Sequence, residues 1–105
     1  MAHLDVYRNP DPISGALLPF VVDVQSDLLS TLSTCMVIPL ARPEAIETLP
    51  ILRLNPKVRV EDTTLVLLTQ DMAPVPRRIL KQRVTNLAAQ RDELLAALDF
   101  LFTGY

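Results

Sequence analysis

Glycine is nearly absent from this chain: its 105 residues hold two, Gly15 and Gly104. A phosphate-cradling loop needs several glycines so that backbone N–H groups can close on the anion, and nucleotide-binding loops of that kind are excluded. Cysteine is reduced to Cys35, so there can be no internal disulfide and no cysteine-based zinc site. That usage fits the cytosol, and the thiol, beside Met36 in an apolar run, reads as a small buried hydrophobe. The single histidine, His3, has only Asp5 as an acidic neighbour and reads as a frayed, solvent-facing imidazole. Ser26, Ser30 and Ser33 then have no identifiable base. Asp23, Asp27 and Asp71 carry no spacing that pairs carboxylates, and turn or strand-edge roles are commoner for aspartates. Excess positive charge is also missing. Ten Lys and Arg stand against twelve Asp and Glu, a net charge of −2, which argues against a generally basic nucleic-acid surface. Asp5, Arg8 and Asp11 interrupt the start before any signal-type apolar stretch develops. The longest apolar runs are far too short to span a membrane. What remains is a binding module with no catalytic residues, no cofactor and no metal.

What the sequence does contain is short extended segments followed by one helix. Residues 3–8 alternate Leu4 and Val6 against Asp5 and Tyr7, a candidate first strand. Residues 9–15 form a loop with two prolines and a glycine. Residues 19–26 are the clearest strand, with Val22 and Val24 facing opposite to Val21, Asp23 and Gln25. The apolar run 36–41 predicts a strand buried on both faces or placed in an interface, and Pro39 predicts an edge or a bulge. Residues 42–49 read as loop with about one turn of helix. Residues 50–54 and 58–60 read as a bent strand or hairpin, with turns at Asn55-Pro56 and Glu61-Asp62. Residues 63–70 give another strand, 71–76 a two-proline corner, and 75–80 a last short strand. Residues 86–105 carry the only sustained helical period. Leu87, Leu94, Leu98 and Leu101 form its stripe, Leu95 and Phe102 widen it, Asn86 caps it and Gly104 stops it. Strands first and a helix last predict one mainly β domain over residues 1–105, a small, strongly bent antiparallel barrel with the helix packed across it.

The runs PFVVDVQSDLLS, MVIPLA, TQDMAPVPRRIL and LDFLFTGY resemble, in order and spacing, the CcdB family of bacterial toxins. The resemblance runs from Val6-Tyr7 to Tyr105. It implies an SH3-like antiparallel barrel with a C-terminal α-helix, a homodimer, and the toxin half of a toxin–antitoxin module in the cytoplasm. It implies that the protein binds the DNA gyrase A subunit and traps the cleaved-DNA complex. A CcdA-like antitoxin with a disordered C-terminal segment would neutralise it, and operator DNA would be met only through that antitoxin, in a repressor complex.

Carried over by position, the resemblance puts the gyrase-binding surface on Ser26, Leu28, Leu29, Asp99, Thr103, Gly104 and Tyr105. Thr103 stands where the family has a tryptophan, which predicts weak or absent poisoning and a gain on Thr103→Trp. An acidic antitoxin tail is expected to meet the basic cluster Arg77, Arg78, Lys81 and Arg83; the plainer reading of that cluster is a solvated face. The alternative function is a relative that still binds an antitoxin but has lost gyrase poisoning. An endoribonuclease of the MazF and Kid kind ranks behind both; Asp71 with Arg77 or Arg78 is the only nearby set for it. A homodimer is expected because a small barrel can hardly cover the 36–41 strand on both faces.

Overall fold

Val, Ile and Thr crowd the extended segments, and their branched side chains favour pleated backbone over helix. The computed structural model describes residues 3–46 and 50–104. It places seven strands: β1 (Asp5–Arg8), β2 (Phe20–Asp23), β3 (Thr34–Ala41), β4 (Lys57–Val60), β5 (Thr63–Leu67), β6 (Ala73–Pro76) and β7 (Arg83–Asn86). One helix follows, α1 (Arg91–Thr103). The strands form a single antiparallel sheet in the order β4-β5-β3-β2-β1-β7, with β6 also paired to β3. The fold is mainly β, a curled half-barrel closed by a C-terminal helix.

β3 is the spine. β2 runs along one side of it; on the other, β6 pairs its first half and β5 its last two residues. Pro39 sits at that change of partner, inside the sheet rather than at an edge. Its carbonyl accepts from the Leu68 N–H at 3.1 Å, on the side away from β2. In an antiparallel strand the nitrogen points the same way as the carbonyl, so the missing donor faces the gap where β6 has ended and β5 begins.

Both faces of this strand are covered within the chain. Ile38 and Leu40 join Val6, Val22, Leu65 and Leu67 in the main core, which Leu87, Leu94 and Ala97 cap from the helical end. Cys35 and Val37 face the other way, under Tyr7, Val21 and Leu80, with Val75 of β6 alongside. The apolar strand therefore gives no reason for a dimer.

β7 occupies residues expected to be loop and helix start, and pairs with β1 across a register shift at Val6/Tyr7. α1 consequently begins at Arg91. Asn86 does not cap the helix: Gln90 holds the N-cap position of α1 and Leu87 that of the 3₁₀ turn Ala88–Gln90, while the Asn86 Oδ1 accepts from the Ala88 N–H at 2.7 Å in a local turn just ahead of it. Asp92 and Glu93 fall in the first turn of α1, where the helix dipole favours carboxylates. Of the expected stripe, Leu87 (ahead of α1) and Leu94 are buried and Leu98 is half-buried against the core, whereas Phe102 is 69% exposed; Ala97, outside that stripe, is buried too.

His3 is not a frayed, free imidazole. The His3 N–H donates to Asp27 Oδ1 at 2.6 Å, its ring Nδ1 lies 3.2 Å from the Gln25 carbonyl, and its own carbonyl accepts from Asn86.

Candidate partner-binding surface

Residues 26–33 leave β2 and return to β3 by way of the 3₁₀ turn Asp27–Leu29. Ser26 caps that turn by accepting the Leu28 N–H at 3.2 Å. Short serine-rich loops of this kind are normally mobile, but this one is braced from three directions. Gln25 donates to the Leu29 and Thr34 carbonyls and accepts from the Met36 N–H. Arg77 donates from Nε to the Leu32 carbonyl and from its backbone to Ser33. His3 holds Asp27 from below the loop's first turn.

The braced loop turns apolar side chains outward. Leu28 is 92% exposed, Leu29 45% and Leu32 48%. A leucine held that far into water serves no purpose in the chain's own core, and the three together make this loop a candidate binding face.

The end of α1 makes a second face. Asp99 and Thr103 are exposed and four residues apart, so they share one side of the helix with Phe102 beside them. The Thr103 hydroxyl donates back to the Asp99 carbonyl at 2.6 Å and presents little area outward. Gly104 takes φ 78° and its N–H closes the last turn on the Phe100 carbonyl, a left-handed stop that glycine makes without a Cβ clash. Tyr105 lies outside the described residues. Phe102 is the aromatic that the sequence reading misplaced: it was given to the buried stripe, and three residues of spacing from Asp99 was the signal that it faces out.

The four members of the basic cluster are engaged differently. Arg77 is turned onto the Leu28 loop, and Arg83 Nε donates to Asp5 Oδ1 at 2.9 Å, the carboxylate itself being 2% exposed. Arg78 and Lys81 are exposed, and Arg83, despite its ion pair, is about half exposed as well. Arg77 and Arg78 share a 3₁₀ turn, while Arg83 begins β7.

Catalytic chemistry finds no assembly. Asp23 is buried and accepts the Gln25 N–H, Asp27 serves His3, and Asp71 lies exposed in a 3₁₀ turn. Burial, a hydrogen bond to Asp23 and that carboxylate's charge push the Cys35 thiol up to about 12, the reverse of what a nucleophile needs. Burial first, then Asp5 and Asp23, raises the Tyr7 phenol to about 12. Among the described residues no three His, Cys, Asp or Glu side chains converge as a metal site. A separate apolar cavity of about 870 Å³ opens between Pro43, Ile46, Leu52 and Val66, and none of the sequence-predicted residues lines it. Among the described residues no helix is long and apolar enough to cross a membrane.

The structure thus offers two candidate contact surfaces, the leucine-bearing 26–33 loop and the mixed polar and aromatic end of α1. A model of the CcdB protein family matches residues 3–104. With nearly the whole chain matched, the protein belongs to the CcdB family.

Proposed function

We propose that this member of the CcdB toxins poisons DNA gyrase through the Leu28 loop and the end of α1. CcdB toxins act by binding, and the protein is not an enzyme. The observation that carries the reading is the backbone-braced loop that presents Leu28 92% exposed to solvent. Phe102, beside Thr103, supplies aromatic area where the family has its tryptophan, so poisoning is weaker than an indole would give but not lost. The protein works in the cytoplasm as a homodimer. Arg78 and Lys81, the free members of the basic set, attract the acidic tail of a CcdA-like antitoxin and speed its association; the antitoxin carries the complex to operator DNA.

A gyrase cleavage assay on supercoiled plasmid tests this. Wild type is expected to accumulate cleaved DNA, Leu28→Asp to abolish it at unchanged thermal midpoint, and Phe102→Ala to weaken it. Losing an interface aromatic typically costs on the order of 2–4 kcal/mol, so that effect should be large. Thr103→Trp should strengthen trapping. A wild type that binds its antitoxin yet never traps DNA makes the protein an antitoxin-binding relative instead.

A further inference from the structure

We infer that Gln25 is a positioning residue for the target-facing surface: its side-chain amide holds the 26–34 loop in the shape that presents Leu28. The inference rests on the gyrase reading above, and goes beyond it in saying what makes the loop competent before any partner arrives.

The geometry is specific. A glutamine amide offers two N–H donors and one carbonyl acceptor, and all three are engaged here on backbone. Nε2 donates to the Leu29 carbonyl at 3.3 Å and to the Thr34 carbonyl at 3.1 Å. Oε1 accepts the Met36 N–H at 3.1 Å. One planar group thus joins the middle of the loop to the start of β3. The Met36 carbonyl still takes the Val24 N–H at 3.1 Å, so β2 and β3 remain in register at this point while the reciprocal donor is redirected to the side chain. β2 accordingly ends at Asp23 and the loop opens there.

Gln25 is itself fixed. Its N–H donates to Asp23 Oδ1 at 2.9 Å, and its carbonyl lies 3.2 Å from His3 Nδ1. Asp23 is buried, so the brace is founded on the sheet rather than on the loop. Nothing apolar holds the loop: no residue of the Asp27–Leu29 turn is buried. A loop without buried side chains keeps its shape only by hydrogen bonds, and an unbraced one must be ordered at each binding event, which lowers affinity and slows productive association.

The test uses the full chain in two variants. Gln25→Met keeps length and bulk but loses all three bonds. Gln25→Glu keeps the acceptor for Met36 but, when ionised, sets carboxylate oxygen against the Leu29 and Thr34 carbonyls. Amide hydrogen exchange is expected to quicken at least tenfold at residues 27–34 in both, with β1, β4 and β5 unchanged. Gyrase A binding is expected to weaken about tenfold in Gln25→Met, mainly in association rate, with little change in thermal midpoint. Gln25→Glu should recover loop protection at acid pH, where its protonated carboxyl regains one donor; a merely space-filling role would show no such recovery. Unchanged exchange in residues 27–34 overturns the brace. Quickened exchange with unchanged gyrase binding overturns its role in positioning. Should wild type fail to bind gyrase at all, the functional reading has fallen, and the exchange arm alone decides whether Gln25 shapes the loop.

Discussion

Glu61 and Asp62 join β4 to β5 with φ of 51° and 62°, the double left-handed turn that matches strand twist but strains any residue with a Cβ. Asparagine and glycine are the usual occupants, so this hairpin is stabilised from its strands rather than its turn. Asp62→Gly should raise stability by about 0.5–1 kcal/mol, since its ion pair with Arg59 at 3.6 Å is fully in solvent and contributes little. Urea unfolding checks it; a lowered midpoint means that the turn is unstrained. The opposite sensitivity sits at Tyr7 and Cys35, each raised to about 12 by burial and nearby carboxylates. The folded state keeps protons that the unfolded chain gives up from about pH 9 for the thiol and 10 for the phenol. The folded state binds more protons above pH 9, so stability is full below it and falls as pH rises toward 12, by up to ~1.4 kcal/mol per pH unit for each group. Urea midpoints should be flat from pH 7 to 8.5 and drop between 9 and 11. Cys35→Ala should be less stable at neutral pH, because it leaves a void, yet show a shallower alkaline slope. An identical slope would mean that the thiol never ionises on unfolding.

Elements are held by contacts that the sequence hides. Asp5 opens β1 and Asn86 closes β7, 81 positions apart, and Asn86 Nδ2 donates to the Asp5 carboxylate at 3.0 Å beside the Arg83 guanidinium. Arg83→Ala takes that guanidinium from a buried carboxylate. The arginine is half exposed and water can follow, so the loss should be about 2 kcal/mol, less than the roughly 3–5 kcal/mol for breaking a fully buried pair. Arg78→Ala and Lys81→Ala should each fall within about 0.5 kcal/mol of wild type. Equal effects at all three positions in thermal unfolding would return the basic cluster to a single solvated face. This clasp also explains what could be read beforehand. β2, β3, β5 and the 61–62 turn were legible because alternation and branched residues mark them locally. β7 was not, since Arg-Val-Thr-Asn lacks alternation and becomes a strand only by pairing with β1. Pro39 misled because the edge rule considers one partner per side, and here two strands share a side. The Leu28 loop could be placed by resemblance, but the amide of Gln25 and the turned-in Arg77 that stiffen it are long-range contacts with no local signature.

At the scale of the whole molecule, the remaining question is which apolar surface pairs two copies. The β3 strand is covered within its own chain, so the proposed homodimer would have to rest elsewhere. Leu28 at 92% and Phe102 at 69% exposure are the most open of the candidate surface, and burying them in the dimer would close the proposed gyrase face. Leu95 and Leu101, half-buried on α1, lie along the same helix without belonging to the main core. A two-fold contact through the end of α1 that covers them would set both copies of Phe102 and both Leu28 loops around one axis. The gyrase A subunit is itself a two-fold dimer, and a symmetric toxin can grip it along the shared axis with four apolar contacts instead of two. The two surfaces should then separate by mutation. Light scattering at micromolar concentration should give about twice the chain mass for wild type and for Leu28→Asp, with trapping lost only in the latter. Leu101→Asp should give a folded monomer by circular dichroism that also loses trapping, because halving the valency removes the joint grip. A wild-type monomer at that concentration sinks the arrangement. So does a monomeric Leu28→Asp, for the loop would then be the dimer contact, and the gyrase face would have to be sought elsewhere on the barrel.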